Sequence, residues 1–228
     1  MAGDITINLA TEGVKLSTPL KLLILITLLS LAPSLLIMFT TFVRIVIVLA
    51  LVRQAIGTPT IPPNQVIISL ALFLTFYIMY PIFNKVYTQA FIPYVKNEIT
   101  DEEFLKRASQ PFREFMLYNT QKSTLKVFMD MAKLPENERV PEKIPWWVLI
   151  PAFMVSEIKT AFEIAFLLYL PFLVIDVVVA TILIGLGVFM LPPTVISLPL
   201  KLVLFVLVNG WELLAKALVK SYNIPNLP

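Results

Sequence analysis

The sequence predicts an all-α, membrane-associated fold built from kinked helical hairpins. Of its 228 residues, 58% are hydrophobic and only 14% are charged, whereas an ordinary soluble domain is about 45–50% apolar and about 25% charged. The mean hydropathy of +0.84 moves in the same direction. Long apolar stretches, broken by proline and glycine, have the length of membrane helices. A soluble single domain is therefore excluded.

The first part of the chain is predicted to form a hydrophobic helical hairpin over residues 20–83. It follows a polar segment, residues 1–19, that lacks the charged start of a secretory signal peptide. The first apolar stretch is too long for one perpendicular span, so we expect a bend at Pro33. A proline-rich break over residues 57–64 separates it from the clearest single hydrophobic helix, residues 66–83.

Residues 84–145 are predicted to form a small, water-exposed helical insert. In its first half, apolar positions recur every three or four residues among charged ones, which predicts an amphipathic helix. A second helix is expected from Ser123 to Leu134. Three prolines then form a linker to Trp146 and Trp147, whose indoles suit a membrane interface.

The last third is predicted to be a second hydrophobic helical region, residues 146–222, followed by a tail, residues 223–228. Its apolar sequence divides into three expected pieces, residues 146–175, 177–191 and 198–219. Hydropathy then indicates about four hydrophobic segments in the chain, with the insert between the second and the third.

Three charges interrupt the 146–175 piece and argue against an isolated lipid-facing helix. Glu157, Lys159 and Glu163 together carry roughly 8–10 kcal/mol of insertion penalty. Lys159 and Glu163 are four residues apart and can pair on one helix face. Glu157 points elsewhere, and Lys201 is its leading candidate partner. The alternative is that Glu157 and Lys201 both lie at segment ends and extend to the lipid headgroups.

A fourth charge, Arg44, lies deep in the first apolar region and needs a carboxylate or carbonyl partner. Asp176 is the only other lone acid in apolar sequence and is one candidate partner. Arg53 lies nine residues further along, beside a glycine, and is expected at the interface.

The segment 185–193 interrupts otherwise continuous hydrophobic sequence. It contains two glycines and two prolines as candidate hinges: Gly185, Gly187, Pro192 and Pro193. Irregular backbone at membrane depth needs a protein cover or an aqueous cavity. Repeated around an axis, the loop would present a ring of three apolar side chains that closes by packing and dewetting: Val188, Phe189 and Met190. The alternative is an ordinary loop whose apolar tip touches the interface.

The composition restricts the chemistry. With no cysteine and no histidine, we expect no catalytic residue, metal site or cofactor, since the commonest bases and ligands are missing. The basic residues are thinly spread, which favours anionic headgroups over nucleic acid. A small-solute or proton transporter with Glu157, Glu163 and Asp176 as a relay remains a competing hypothesis.

Many short stretches, in order from about residue 20 to residue 222, resemble the FliP family of flagellar biosynthetic proteins. They include Ser156-Glu157-Ile158-Lys159-Thr160-Ala161-Phe162 and Leu191-Pro192-Pro193. The others are residues 30–34, 44–49, 53–58, 62–66, 70–76, 115–117, 151–153, 171–176 and 196–201. The paralogous SctR-type subunit of injectisomes is similar too.

The resemblance implies a subunit of the type III export gate in the flagellar basal body of the bacterial inner membrane. FliP-like chains form a pentamer with FliQ and FliR, with FlhB and FlhA nearby, and unfolded flagellar proteins pass through. The resemblance also implies a periplasmic insert and a right-handed helical cone raised toward the periplasm. The alternative role is that of the homologous injectisome subunit.

The resemblance also implies roles for particular residues. Glu157 and Lys201 correspond to an intersubunit ion pair, while Phe115 and Phe128 correspond to aromatics needed for subunit assembly. The loop tip corresponds to a methionine-rich gasket that closes the channel, of which this chain keeps one methionine, Met190. Further charges are expected to be buried: Arg44, Lys159, Glu163 and Asp176.

Overall fold

A computed structural model describes residues 37–224 continuously and, before them, positions 20, 22, 23, 26, 27, 30 and 34. Those seven earlier positions are helical and exposed, and they belong to a separate unit of the chain. The bend expected at Pro33 lies outside the described residues. Every regular element between residues 37 and 224 is a helix, which confirms the predicted all-α class.

The first described helix, α1 (Phe42–Ile56), forms the centre of the bundle, and most of its side chains are buried. It ends at Gly57, whose φ of 93° lies in the left-handed region that glycine adopts without a side-chain clash. The turn is closed by Arg53, which donates to Pro62 O and Asn64 Oδ1, both at 2.8 Å. The predicted break over residues 57–64 is confirmed.

Helix α2 (Asn64–Val86) runs back along α1 and contains the predicted hydrophobic helix. It continues through one π-helical turn, Tyr87–Phe91, into the short helix α3 (Ile92–Val95). Together they form an apolar stretch of 32 residues.

The insert contains two amphipathic helices, α4 (Asp101–Asn119) and α5 (Lys122–Met131), as predicted. Thr100 caps α4 by accepting the Glu103 N–H at 3.3 Å. Three acids in the first turn of α4 also favour its start there. Helix α5 ends earlier than expected, and Lys133, just beyond it, has a positive φ of 51°.

One long helix, α6 (Trp146–Gly185), replaces two of the pieces expected in the last third. It spans 40 residues and passes through both Pro151 and Pro171. The predicted division after residue 175 is therefore wrong. Buried side chains lie on both sides of Pro171, among them Ala165 and Phe172, and this packing holds the helix together where the proline removes a hydrogen bond.

The remaining apolar sequence forms two helices, α7 (Pro193–Leu207) and α8 (Gly210–Lys220), bent by 64°. The piece expected over residues 198–219 is thus broken in the middle. Asn209 produces the break, because its φ of 50° ends α7 in the left-handed region. Phe205 of α7 packs on Phe172 of α6, with the ring centroids 6.4 Å apart.

The described residues contain two or three of the about four hydrophobic segments that the hydropathy of the sequence indicates. Among the described residues, two helical stretches are long and apolar enough to cross a membrane, Asn64–Val95 and Trp146–Gly185. The bent pair of α7 and α8 raises the number to three if it forms one span. Helix α1 has only 15 residues, and the apolar sequence before it lies largely outside the described residues.

The hydrophobic core lies where α1, α2, α4 and α6 meet. Its largest fully buried side chains come from all four helices: Ile45, Leu49, Ile78, Met79, Met116, Leu149 and Phe153. Phe115 of α4 meets Phe153 of α6 edge to face, with centroids 5.6 Å apart.

We expect Gly210→Ala to destabilise the chain by about 1–3 kcal/mol through overpacking. An added Cβ would lie 2.2 Å from Phe205 Cε2. The ring of Phe205 is held between Phe172 and Trp211, so it cannot simply turn away. The measurement is thermal unfolding of the purified chain in one detergent.

The matched control for this prediction is Gly185→Ala. Nothing lies within 4 Å of a Cβ added at Gly185. Its melting temperature should stay equal or rise slightly, because alanine favours a helix over glycine by about 0.5–1 kcal/mol. Equal melting temperatures for Gly210→Ala and Gly185→Ala would contradict the overpacking.

Candidate functional site

The deepest polar feature is an ion pair between Arg44 of α1 and Glu157 of α6. The side chains are 2% and 0% exposed. Arg44 donates from Nε to Glu157 Oε2 at 3.1 Å and from a second nitrogen to Oε1. This two-pronged arrangement matches the guanidinium fork to the carboxylate and joins two helices at one fixed point.

Tyr222, just after α8, completes this cluster. Its hydroxyl lies 2.8 Å from Glu157 Oε2 and 3.0 Å from Thr41 O, and one proton serves both acceptors. The Arg44 guanidinium carbon lies 3.8 Å from the centroid of the Tyr222 ring, within cation–π range. Burial and the Glu157 carboxylate raise the pKa of Tyr222 well above its usual value, so the hydroxyl stays protonated and donates.

A second ion pair joins α6 to α7. Lys201 Nζ lies 2.5 Å from Asp176 Oδ2, and the lysine side chain is only 6% exposed. Ser197 donates to Asp176 Oδ1 at 2.6 Å. Lys201 also donates to the carbonyl of Ala55, at the end of α1, at 3.3 Å. This pair therefore ties α6, α7 and α1 together.

These contacts correct the predicted pairing. From the sequence, Lys201 is the leading candidate for Glu157 and Asp176 a candidate for Arg44, but within the chain the partners are exchanged. Helix α1 packs beside the first half of α6, whereas α7 returns beside its second half, and spacing along a sequence does not specify which helices are neighbours. Both Glu157 oxygens already accept hydrogen bonds, so the intersubunit pair implied by the resemblance gains no support here.

Lys159 and Glu163 are exposed in the single chain, so the burial that the resemblance implies would have to come from neighbouring subunits. Their side chains are 52% and 54% exposed, and the Nζ to Oε1 distance of 4.0 Å makes a loose pair. An exposed pair of this kind stabilises a fold by about 0–1 kcal/mol. The predicted helical i,i+4 spacing is confirmed, but their burial is not.

The loop between α6 and α7 exposes an apolar tip. Phe189 is 75% exposed and Met190 is 96% exposed, while Val188 is 39% exposed. Of the expected hinges, Gly187 has a positive φ of 75° that favours glycine. The other three mark the edges of the loop: Gly185 ends α6, Pro192 precedes α7 and Pro193 begins it.

The two insert aromatics lie in different environments. Phe115 is 3% exposed in the core, where it contacts Phe153 and Tyr222. Phe128 is half-buried on α5 and packs against the core. An effect of Phe115 on subunit assembly would thus act through the fold of α4, because almost none of its surface is free to meet a partner.

Sequence patterns missed two residues of the buried clusters. Ser197 lies four residues before Lys201, so helical spacing alone would have placed it on the same face. Tyr222 carries no such signal, because it follows the end of α8 and reaches Glu157 only through the tertiary fold.

The described residues between 37 and 224 contain no group of three acids that could hold a metal ion. The three acids of the transporter hypothesis pair with three different cations: Glu157 with Arg44, Asp176 with Lys201, and Glu163 with Lys159. They form no continuous relay with one another in the part of the chain that the structure describes.

Comparison with known proteins decides the family. The model of the FliP family matches residues 22–218. This chain belongs to the FliP family. The range that matches the family model includes both ion pairs and the α6–α7 loop, whereas Tyr222 lies beyond it.

Similar FliP proteins occur in distant bacteria. The flagellar biosynthetic protein FliP of Aquifex aeolicus is 59% identical over 205 residues, which cover 90% of this chain and 86% of that protein. The flagellar biosynthetic protein FliP of Bacillus subtilis is 46% identical over 218 residues, which cover 96% of this chain and 98% of that protein. The FliP protein of Pectobacterium carotovorum is 47% identical over 222 residues, which cover 97% of this chain and 86% of that protein.

We expect Glu157→Gln and Arg44→Met each to destabilise the chain by about 3–5 kcal/mol, because each leaves a buried charge without its partner. In the double variant the losses should fall short of their sum by at least about 1 kcal/mol, since the residues interact directly. Unfolding free energies in one detergent measure this coupling.

Two further variants make the test specific. Glu157→Gln combined with Lys201→Met should show additive losses, because these residues pair with different partners. The exposed Glu163→Gln should change stability by less than about 1 kcal/mol. Strong coupling between Glu157 and Lys201 would contradict the pairing described above.

Proposed function

We propose that this FliP-family chain is a channel-forming subunit of the flagellar type III protein export gate in the bacterial inner membrane. In this role it is a passive conduit for unfolded flagellar proteins. Membership of the family supports the flagellar role, and the relatives reported above are named flagellar biosynthetic proteins. This naming favours the flagellar gate over the homologous injectisome subunit.

The single observation that supports the channel role best is the exposed apolar tip of the α6–α7 loop. Phe189 is largely exposed and Met190 almost entirely exposed in one chain, and burial of both side chains would be favourable. Several copies around an axis would bring these tips together as a gasket. Such a ring closes a pore because apolar side chains pack and exclude water, even with one methionine instead of several.

The ion pairs support the same role because they hold the two arms of this loop, which are the helices α6 before it and α7 after it. Asp176 lies on the arm before the loop and Lys201 on the arm after it. With the arm after the loop also tied to α1, through the hydrogen bond from Lys201 to Ala55 O, the loop is carried on a braced hairpin. A gasket needs such support, since its side chains must meet those of other copies at a constant height.

The exposed Lys159 and Glu163 support assembly with other proteins. They lie in the middle of an apolar helix, where lipid would penalise each charge by roughly 2.5–3.5 kcal/mol. A neighbouring protein can offer polar partners instead. We propose a pentamer with FliQ and FliR, near FlhB, FlhA and the basal-body ring, arranged as a right-handed cone with the insert on the periplasmic side.

The conduit role leaves the driving force to other proteins. The sequence contains no G-x-x-x-x-G-K-[ST] loop that could bind nucleotide phosphates. Energy for transport would therefore come from separate ATPase and proton-motive components.

Native mass spectrometry in mild detergent tests the assembly. We expect a discrete multi-copy ring that gains FliQ-like and FliR-like chains when they are coexpressed. A monomer or dimer that binds neither the FliQ-like nor the FliR-like chain would contradict the export-gate role and favour the transporter hypothesis.

Replacing Phe189 and Met190 together by glycine should raise the ion conductance of the purified complex in planar bilayers. The reason is that glycine leaves the constriction without side chains that exclude water. Assembly should be unchanged, because neither side chain is buried in the chain.

The matched control replaces an equally exposed apolar side chain away from the loop. Leu105→Ala, on α4, removes a side chain that is 67% exposed and should leave the conductance at its original level. Unchanged conductance in an assembled complex of the glycine variant would count against the gasket.

A further inference from the structure

The three residues after α8, Ser221, Tyr222 and Asn223, contact three different helices at once. We call them the strap. They lie beyond residue 218, where the family match ends, and none of the roles above uses them. Tyr222 is only 6% exposed, although it belongs to no helix. A side chain outside the helices that is this well buried needs a physical reason.

The first end of the strap is held by α1. Arg44, whose other nitrogens bind Glu157, donates from one terminal nitrogen to Ser221 O at 2.7 Å and to Ser221 Oγ at 3.1 Å. The guanidinium is therefore satisfied only when both Glu157 and the strap are in place. Because the arginine is 2% exposed, water would replace Ser221 only if the site opened.

The middle of the strap covers the ion pair. The Tyr222 ring lies against the Arg44 guanidinium on one side and stacks with Phe115 of α4 at a centroid distance of 6.2 Å. Its hydroxyl donates to Glu157 and to the carbonyl of Thr41. Tyr222 thus separates the Arg44–Glu157 pair from solvent on the side of the strap.

The last residue of the strap is held by α4. The Asn223 N–H donates to Asn119 Oδ1 at 3.0 Å, and Asn119 Nδ2 donates back to Asn223 O at 3.3 Å. Asn119 is buried at the end of α4. Its amide therefore pairs with the strap backbone in both directions, as a neighbouring strand would.

We propose that Ser221–Asn223 form a strap that docks as one unit onto α1, α4 and α6 and seals the Arg44–Glu157 pair from water. Partial docking is disfavoured, because each anchor that is left open exposes or orphans a polar group that is buried in the closed state. The strap is thus a conformational closure with two states, one docked and sealed, the other released and hydrated. It also sets the position of the end of α4 against α6.

The absence of cysteine from the sequence allows a direct test. Thr41→Cys places a thiol beside the strap. The replaced Oγ1 is buried and has no hydrogen-bond partner in the described part of the chain, so the substitution removes no hydrogen bond. Thr75→Cys places a second thiol at an equally buried site on α2. The rate of maleimide labelling of each reporter is measured for the full chain in detergent.

The strap is then weakened at its middle or at its last residue. Tyr222→Phe removes only the hydroxyl, and Asn119→Ala removes the anchor on α4, which touches neither Thr41 nor Glu157 in any hydrogen bond described above. Each should speed labelling at position 41 by at least about tenfold, as the loss of a buried hydrogen bond allows, while labelling at position 75 stays within about twofold. Tyr118→Phe, on the exposed face of α4, should change neither rate.

Two outcomes would overturn the proposal. Faster labelling at position 41 with Tyr222→Phe but not with Asn119→Ala would mean that the strap does not dock as one unit. Equal acceleration at positions 41 and 75 in either variant would mean that the whole chain opens, so that no separate strap closure exists.

Discussion

The Arg44–Glu157 pair is the contact on which the rest of the structure depends. Two charges that are almost completely buried are tolerated only when each satisfies the other, because an unpaired charge in an apolar interior costs several kcal/mol. The pair therefore fixes which faces of α1 and α6 meet. Once those helices are placed, α2 and α4 complete the core around them.

The second pair acts in the same way further along α6. Asp176 follows Glu157 by nineteen residues in the sequence, about 28 Å along a helix. Helix α1 meets the first pair through Arg44 and the second through the carbonyl of Ala55. It is thus held near both of its ends, by α6 at the first pair and by Lys201 of α7 at the second. Beyond the second pair, the hairpin carries the loop tip with Phe189 and Met190 uncovered.

Much of the helical structure could be predicted from local patterns. The break before α2, the two amphipathic helices of the insert and the loop after Gly185 all depend on residues that are close in sequence, namely glycine, proline and periodic apolar side chains. The division expected after residue 175 was wrong, because Asp176 lies within α6 and pairs with Lys201 of α7. A proline costs a backbone hydrogen bond, yet α6 also continues through Pro171, beside which Phe172 packs on Phe205 of α7.

The sequence by itself determined that this chain is all-helical, apolar and rich in charges that need partners, because composition and periodicity are local properties. It also identified the residues whose charges form the two interhelical pairs, Arg44, Glu157, Asp176 and Lys201. Only the tertiary structure decided which charge meets which, that Lys159 and Glu163 stay exposed, and that Tyr222 joins the first pair. The physical reason is that partners in a bundle are set by which helix faces are neighbours, and side-chain spacing along one helix does not contain that information.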